Sequence, residues 1–318
     1  MSLKAISQND IQNSLLDYLE HGGRPGVKLG FESLNEFYSH KAGGVTDWTG
    51  FPASGKTYFA LEIAMGLSEK YGTRHGLYVP DLGSDNEVLQ KLVKMKTGKD
   101  FSNKYQNKIE SHELIKVLPW IMHHFVIFKK SDIKGGVTPL NFWETICSYK
   151  DDAGIVNTGI ADSWKNFKHI YSGREDSYLD EVLSIRNEMA ESYQKHFHTI
   201  AHAVKTELND HQKGSGKRRV PNAWDIKGGG SWFANGKTII TADWPDKTDN
   251  FINLHIGKVK PEDVGVIGSV IGLICLDVKR GRYYEFVDGK KCYAFDFENV
   301  VKINFNDERQ DYKSEIFL

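Results

Sequence analysis

The segment of this sequence best suited to chemistry is a glycine-rich octapeptide, residues 50–57, which reads GFPASGKT. This is the GxxxxGK(S/T) pattern of a phosphate-binding loop, whose small residues let successive backbone N–H groups turn towards phosphate oxygens. Lys56 would bind the β- and γ-phosphates, and the Thr57 hydroxyl would coordinate Mg²⁺. The candidate nucleotide contacts are Gly50, Phe51, Pro52, Ala53, Ser54, Gly55, Lys56 and Thr57.

The surroundings of the loop decide its meaning, because the pattern alone also occurs by chance in unrelated proteins. The apolar stretch 44–50 precedes it, and Phe59, Ile63 and Leu67 follow at the four-residue spacing of a buried helical face. A strand, a loop and a helix in this order are what phosphate binding requires. We therefore expect ATP with Mg²⁺ here, rather than a glycine-rich turn that binds no nucleotide.

Hydrolysis also needs a carboxylate in the Mg²⁺ shell. Asp162 ends the apolar run 153–161, so it should lie at the carboxyl edge of a parallel sheet, where the phosphate loop also lies. We assign Asp162, with Thr57, to the metal site. The alternative is that Asp162 only caps the helix that follows, and the two roles are compatible.

Two further residues are candidates for catalysis. Asp81 follows the predicted strand 75–80 and could orient the attacking water, with Asp85 and Glu87 as rivals. A helix cap or a solvated charge is the other interpretation of Asp81. His202 follows the fifth apolar run and is interpreted as a sensor of the γ-phosphate, or otherwise as a core or turn histidine.

Apolar runs that alternate with helical segments must position these residues, and such alternation predicts a parallel sheet covered on both faces. The last third instead shows strands joined by short turns, which predicts an antiparallel extension. The fold class is therefore α/β: a mostly parallel central sheet flanked by helices, with an antiparallel C-terminal part. The predicted strands are 44–49, 75–80, 125–128, 154–160, 197–203, 238–242, 252–259, 269–277, 282–287 and 292–297.

A short helix precedes this domain. Residues 8–20 place Ile11, Leu15, Leu16 and Leu19 at helical spacing, before a glycine-rich tether. The apolar stripe folds back on its own domain in one interpretation and docks on a neighbouring subunit in the other. We divide the chain into a linker helix and tether, 1–27, and a core, 28–318.

Composition sets limits on partners. The 318 residues include 41 basic and 42 acidic side chains, for a net charge of −1, so contact with nucleic acid must come from local patches. The cysteines Cys147, Cys275 and Cys292 lack the spacing of a zinc site or a disulfide framework. No apolar run reaches membrane-spanning length and the start lacks a secretion signal, so we expect a cytoplasmic protein without membrane contact.

One local basic patch does occur. Residues 213–219 read KGSGKRR, within a segment, 209–230, that lacks apolar periodicity and is predicted to be a long mobile loop. A solvated charged face is the alternative to nucleic-acid contact. Trp224, Trp232 and Phe233 are expected to anchor this loop in the core, with base stacking as the other interpretation. The candidate DNA contacts are Lys217, Arg218, Arg219, Lys227, Gly228, Gly229 and Gly230.

The order of these parts resembles the RecA-like ATPase core of DnaB-type replicative helicases, especially the Twinkle and phage primase-helicase branch, over about residues 28–287. The segments that carry the resemblance are KLGFESLN (28–35), GGVT (43–46), YVPD (78–81), IADSWK (160–165), AHAVK (201–205), WDIKGGGSWF (224–233) and HIGKVK (255–260). Two positions depart from the family, which has a catalytic Glu where this chain has Asp81 and an arginine finger where it has Lys260.

The resemblance implies a ring, usually a hexamer, with ATP at each subunit interface and single-stranded DNA in the channel. Lys258 and Lys260 would then reach the nucleotide of the adjacent subunit. A core without accessory domains suggests, by analogy, a phage or mobile element in the bacterial cytosol.

Three hypotheses follow for function. The first is an ATP-dependent helicase that translocates on single-stranded DNA as a ring in DNA replication. The second is a RecA-like ATPase of a recombination or regulatory assembly without unwinding activity. The third is a non-catalytic nucleotide-binding module, motivated by Asp81 and Lys260.

Overall fold

The computed structural model describes most of the chain, in the ranges 7–21, 26–103, 106–129, 135–171, 173–204, 219–246, 250–260 and 264–295. Within these ranges the α-helices are α1 (Gln8–His21), α2 (Glu32–Asn35), α3 (Lys56–Tyr71), α4 (Asp85–Thr97), α5 (Ser111–His124), α6 (Pro139–Ser148), α7 (Glu175–Tyr193) and α8 (Gly229–Asn235). Single 3₁₀ turns occur at Pro80–Leu82, Trp164–Asn166 and Ala223–Asp225.

The strands form one large sheet and one small hairpin. They are β1 (Val45–Thr49), β2 (His75–Tyr78), β3 (Phe125–Ile127), β4 (Lys150–Asp151), β5 (Gly154–Ile155), β6 (Thr158–Asp162), β7 (His196–Ile200), β8 (Thr238–Asp243), β9 (Phe251–Lys258), β10 (Gly268–Asp277), β11 (Arg282–Val287) and β12 (Lys290–Tyr293). The ten-stranded sheet has the order β12-β11-β10-β9-β8-β1-β7-β6-β2-β3, and β4 pairs only with β5.

The predicted fold class is confirmed. Strands β3, β2, β6, β7, β1 and β8 are mutually parallel, whereas β8 to β12 pair in an antiparallel manner. Every residue of β1, β2, β6 and β7 is buried, as expected when helices cover both faces of a parallel sheet. In β9, buried and more exposed residues alternate, which is typical of an antiparallel strand with one face on the core.

Most predicted strands differ from the observed ones by a few residues at their ends, and one is divided into two. The apolar run 154–160 is divided between the hairpin strand β5 and the sheet strand β6. Asn157 lies in the break, where its side-chain Oδ1 accepts a hydrogen bond from the backbone N of Arg74 at 2.8 Å. This side-chain contact ends the hairpin, and hydrophobicity alone does not reveal it.

Two buried ion pairs tie helices to the sheet. Arg186 of α7 donates to both carboxylate oxygens of Asp47 in β1, and both side chains are fully buried. Arg282 of β11 donates to Glu62 of α3 at 2.6 Å, again with both side chains fully buried. Because an isolated buried charge is costly, each pair fixes its helix against one strand.

Helix α1 forms as predicted, and its apolar stripe faces solvent. Ile11, Leu15, Leu16 and Leu19 are between 46% and 80% exposed. In the described part of the chain the stripe is therefore not folded back on its own domain, and docking on a neighbouring subunit stays a prediction. Among the residues that the structure describes, no helix is long and apolar enough to cross a membrane.

A set of histidines is buried in and beside the sheet: His40, His75, His124, His196 and His198. Burial is the largest cause of a lowered pKa in each ring, to about 3 for His75 and His124 and about 4 for His196. The pKa values of His40 and His198 also lie well below the ordinary range. These rings are therefore neutral in the folded protein at neutral pH.

We expect the free energy of unfolding to decrease as the pH falls below the unfolded-state histidine pKa of about 6.5. The unfolded chain then binds protons at these rings while the folded protein does not, so each ring costs about 1.4 kcal/mol between about pH 7.5 and pH 5.5. Urea denaturation at several pH values in this range measures how steeply the free energy of unfolding changes with pH. An unfolding free energy that is constant with pH would contradict the expectation.

Candidate nucleotide-binding site

The loop 50–57 connects the carboxyl end of β1 to the amino end of α3. Gly50 and Gly55 have φ values of 136° and 89°, which side-chain-bearing residues rarely adopt. A Cβ at Gly50 would lie 2.2 Å from the carbonyl oxygen of Ala242 in β8, so the backbones approach too closely for any other residue. The 16-residue helix α3 begins at Lys56 and directs its positive end at the loop.

Lys56 is 3% exposed and is held inside the loop. Its Nζ donates to the carbonyl oxygens of Gly50 at 3.0 Å and Phe51 at 2.7 Å, and to Ser54 Oγ at 3.3 Å. Burial lowers the pKa of Lys56 to about 8, although the nearby Asp162 carboxylate opposes this shift. The ammonium group therefore lies where the loop amides and α3 would bring phosphate oxygens.

Thr57 and Asp162, which were assigned to the metal site, contact each other. The Thr57 hydroxyl donates to Asp162 Oδ2 at 2.7 Å. The second oxygen, Oδ1, is buried and has no hydrogen-bond partner in the described part of the chain. Burial raises the pKa of Asp162 to about 6, with Asp81 adding repulsion, while Thr57 and Lys56 oppose the shift. Hard oxygen donors with one unsatisfied carboxylate oxygen fit Mg²⁺.

Asp81 lies beside this pair, at the end of the neighbouring strand β2. Its Oδ2 accepts a hydrogen bond from Ser163 Oγ at 2.9 Å, and its Oδ1 accepts one from Asn166 Nδ2 at 2.8 Å. Lys165 Nζ lies 3.3 Å from Oδ2. Burial alone would raise the pKa of Asp81, but these three partners lower it, so the carboxylate remains ionised.

His202 completes the group. Its Nε2 lies 3.5 Å from Asp81 Oδ2, and its Nδ1 is buried without a hydrogen-bond partner among the described residues. Burial and then the charge of Lys56 lower the pKa of His202, which keeps the imidazole neutral at pH 7. Ligand atoms of Asp81, Asp162 and His202 all lie within 4.8 Å of one another. The sequence placed these three residues at one sheet edge, and the structure brings them together.

The rivals of Asp81 are engaged elsewhere. Glu87 belongs to the capping box of α4, where it accepts from the backbone N of Ser84 at 2.7 Å. Asp85 is exposed, and its Oδ2 lies 3.3 Å from the Nζ of Lys129.

Sequence reasoning missed the groups that hold Asp81. Ser163, Lys165 and Asn166 all follow β6 in the turn after Asp162. Their position directly after the end of β6 could have identified them, because polar residues at that strand end lie at the same edge of the sheet as the phosphate loop.

Lys258 and Lys260 lie at the opposite edge of the sheet. Strand β9 runs antiparallel to β8, and Lys258, the last residue of β9, pairs with Ile239 near the start of β8. Thr238, the first residue of β8, pairs with Thr46 near the start of β1, so Lys258 lies at the amino ends of the parallel strands. Lys258 is 8% exposed, and its Nζ donates to the carbonyl oxygens of Phe233 and Ala234 at the end of α8. The structure therefore does not bring these lysines to the phosphate loop of their own chain.

Lys260 is exposed and lines a cleft of about 240 Å³. Lys41 and Gly43, just before β1, and Lys237, just before β8, form other parts of its wall.

The candidate DNA contacts have varied surroundings. Lys217 and Arg218 lie outside the described residues. Arg219 pairs with Asp225, and Lys227 Nζ lies 2.8 Å from Glu175 Oε1. Gly228 is the N-cap of α8, with φ 74°, and Gly229 and Gly230 begin that helix. Residues 219–230 thus form an ordered turn and helix start instead of the expected mobile loop.

A second histidine group is a less suitable metal site. Ligand atoms of His40, His196 and His198 also lie within 4.8 Å of one another. However, the His40 ring stacks on His196 with a centroid separation of 3.9 Å and on His198 at 5.4 Å. Trp48 Nε1 donates to His198 Nδ1, and the Thr46 hydroxyl bonds His196 Nε2. Nearly parallel rings cannot direct their in-plane lone pairs at one ion, so we assign these rings to the core.

A phosphate loop, a buried metal-type carboxylate and a polar cluster at one edge of a mostly parallel sheet define an α/β domain of the P-loop class. No protein-family model matches the chain, and no curated protein matches it. Solved structures that share its fold include the two that follow. The first, solved as an isolated ATPase domain, aligns with a TM-score of 0.69 at 14% identity, covering 89% of this chain and 100% of that one.

The second structure is a DnaB-like replicative helicase, solved to show its interactions with primase. It aligns with a TM-score of 0.67 at 15% identity, covering 88% of this chain and 67% of that one. At these identities the similarity shows the fold. The chain therefore shares the fold of these two structures, in agreement with the RecA-like α/β fold that its motifs predict.

We expect ATP with Mg²⁺, at about 100 times its dissociation constant, to raise the free energy of unfolding by about 2.7 kcal/mol, because ligand binds only the folded state. Thermal denaturation with and without the nucleotide measures this as a higher midpoint. Lys56→Ala should abolish the shift. Lys70→Ala, at the other end of the same helix, should retain it, and an equal shift in the Lys56 variant would place the nucleotide elsewhere.

Proposed function

We propose that this protein is an ATP-dependent helicase that translocates on single-stranded DNA as a ring-shaped oligomer, most simply a hexamer, in DNA replication. The observation that carries the proposal is the division of the candidate site. Lys56, Thr57, Asp162, Asp81 and His202 lie at one edge of the sheet, whereas the two lysines expected to complete the site lie at the other edge.

The length of the strands prevents one chain from closing its own site. Strand β8 has six residues and so spans about 20 Å, which is far more than the reach of a lysine side chain. Lys260 at the far edge is exposed and could meet the phosphate loop of a second copy. A head-to-tail arrangement of this kind closes into a ring if its rotation is suitable.

Helix α1 supports the same arrangement. Its exposed apolar stripe is the feature that a docking segment needs, and we propose residues 1–27 as the linker and 28–318 as the ATPase core. Docked on a neighbouring core, α1 would cover Leu15 and Leu19 and hold adjacent subunits together.

In the proposed reaction, Lys56 binds the β- and γ-phosphates. Thr57 and Asp162 would hold Mg²⁺, which would neutralise phosphate charge. Asp81, held ionised by its neighbours, accepts a hydrogen bond from the attacking water. Neutral His202 contacts Asp81 and is positioned to respond to the γ-phosphate.

A backbone connection supports coupling between nucleotide and DNA. The backbone N of Val204 donates to the carbonyl oxygen of Asp225 at 2.7 Å, and Ala203 forms a bridge with Ile226. His202 is therefore next to residues that pair with the segment bearing the proposed DNA contacts. These contacts are Arg219, Lys227 and Gly228 to Gly230, together with Lys217 and Arg218 outside the described residues.

We expect single-stranded DNA to stimulate ATP hydrolysis. Lys56→Ala should reduce the stimulated rate at least about 100-fold, because the cation that stabilises phosphate charge is lost. Lys70→Ala is the matched control on α3. ATP turnover is measured with and without oligonucleotide, while light scattering measures the mass of the assembly. A rate that is unaffected in the Lys56 variant would exclude hydrolysis at this loop.

A strand-displacement assay separates the proposed helicase from the alternative, a RecA-like ATPase of a recombination or regulatory assembly. Unwinding of a forked duplex that requires ATP hydrolysis supports the helicase. Stimulated hydrolysis without displacement supports the alternative. Both functions are consistent with a cytoplasmic protein.

Shared catalysis predicts complementation between two inactive variants. Lys260→Ala alone should lower the ATPase rate at least about tenfold, because a cation supplied across the interface is missing. Mixed with Lys56→Ala chains, it should recover up to about a quarter of the wild-type rate, since one interface in four then pairs two intact halves. Lys260 is preferred to Lys258 because Lys258 also bonds the end of α8.

Two results would contradict interface sharing. One is a normal rate in Lys260→Ala, and the other is an absence of recovery in mixtures whose subunits are shown to exchange.

A further inference from the structure

Trp224 is unusual among the tryptophans of this chain. The chain has seven, all within the described part, and Trp48, Trp143 and Trp232 are fully buried while Trp120 is 6% exposed. Trp224 is 62% exposed, in contrast to the expectation that it anchors the loop in the core. An indole left in water forgoes the large stabilisation that aromatic burial brings, so its exposure needs a cause.

The ring is held in one orientation. It stacks on Phe233 of α8 with a centroid separation of 5.3 Å and an interplanar angle of 26°. Phe233 is itself 39% exposed, and the Nζ of Lys258 lies 4.9 Å from its ring centroid. The two aromatic rings therefore form an exposed stack, anchored from below by a buried lysine.

The backbone beneath Trp224 is also fixed. Asn222 caps its 3₁₀ turn, with Oδ1 accepting from the backbone N of Trp224 at 2.9 Å, and Asp225 Oδ2 accepts from the backbone N of Asn222 at 2.7 Å. A Cβ at Gly229 would lie 2.5 Å from Trp224 Cα, so α8 packs directly against the turn. A ring fixed in this way loses little conformational freedom when a ligand stacks on it.

Two cations lie close to Trp224 in the sequence, and each is paired with a carboxylate. Arg219 pairs with Asp225 and its side chain is 45% exposed, while Lys227 pairs with Glu175 and its side chain is 73% exposed. The pair of Lys227 with Glu175 is a surface pair of the kind that contributes little stability, so Lys227 can exchange its carboxylate for a phosphate. The Asp225 carboxylate is buried, so Arg219 would bind a phosphate with the N–H groups that face solvent. An exposed planar apolar face with cations at nearby chain positions matches the base and phosphates of a single strand, rather than an apolar protein segment.

We propose that Trp224 and Phe233 form a stacking site for one unpaired nucleobase, with Arg219 and Lys227 binding the phosphates on either side. The inference rests on the proposed function, because it specifies how single-stranded DNA is held. Every base presents a π-face, so the site binds strands without regard to sequence. Stacking is non-covalent and requires a base, whereas contact with phosphate does not require one.

Two oligonucleotides of equal length and charge separate these contributions: oligo-dT and a strand of the same length whose sugars are abasic. Wild-type protein should bind oligo-dT about tenfold or more tightly than the abasic strand. Trp224→Leu should bind both strands equally, at the affinity of the abasic strand for the wild type. Trp224→Phe should keep most of the preference, since it keeps an aromatic face.

The indole supplies a second readout. Oligo-dT should quench the fluorescence of Trp224, which is the component missing from the Trp224→Phe variant. The abasic strand should quench this fluorescence far less. Phe286→Leu, which removes a 58%-exposed ring on β11, is the matched control and should behave as the wild type in both assays. Because Trp224 is exposed, its replacement should leave the thermal midpoint unchanged.

Each other outcome overturns the proposal in a distinguishable way. Equal wild-type affinity for both strands means that only phosphates are contacted, and DNA binding as part of the proposed function then stands. A Trp224→Leu variant that keeps the preference assigns stacking to another ring. If the Trp224→Leu variant forms a smaller assembly but still prefers oligo-dT to the abasic strand, Trp224 belongs to a contact between subunits. If the wild type binds neither strand, the proposed function fails as well.

Discussion

Four neighbouring parallel strands, β2, β6, β7 and β1, end at the same edge of the sheet, and the candidate site depends on their alignment. Asp162 is the last residue of β6, and Asp81, His202 and the phosphate loop follow β2, β7 and β1. No long-range loop is needed to collect them, since strand pairing alone brings their chain segments together. The buried pair between Asp47 and Arg186 reinforces this register, because it fixes β1 to α7 two residues before the strand ends.

The same alignment explains why much could be predicted from the sequence. Apolar runs locate buried strands, and the residue after each run is then assigned to the carboxyl edge without knowledge of any contact. Asp162 and His202 were found in this way. Ser163 and Asn166 were not assigned a role, because a hydrogen bond to Asp81 depends on how a short turn folds and leaves no periodic signal.

The exposure of Trp224 shows a different limit of prediction. Hydrophobic pattern reports which side chains favour burial, but not whether the surrounding chain covers them. Trp232 and Trp224 differ by eight positions in one segment, yet one is buried against Trp164 and the other faces solvent. Likewise, residues 209–230 were predicted to be a mobile loop, whereas Gly229 is required because α8 packs closely on the backbone of Trp224.

The two outer strands of the described sheet bear on how copies of this chain can associate. Strand β3 has only three residues, and β12 has four, of which Lys290 and Lys291 are two. Short strands and lysines are the means by which proteins prevent strand addition at a sheet border. Assembly is thereby directed away from continuous β-structure and towards contacts between side-chain surfaces, which can loosen and re-form while each sheet stays intact.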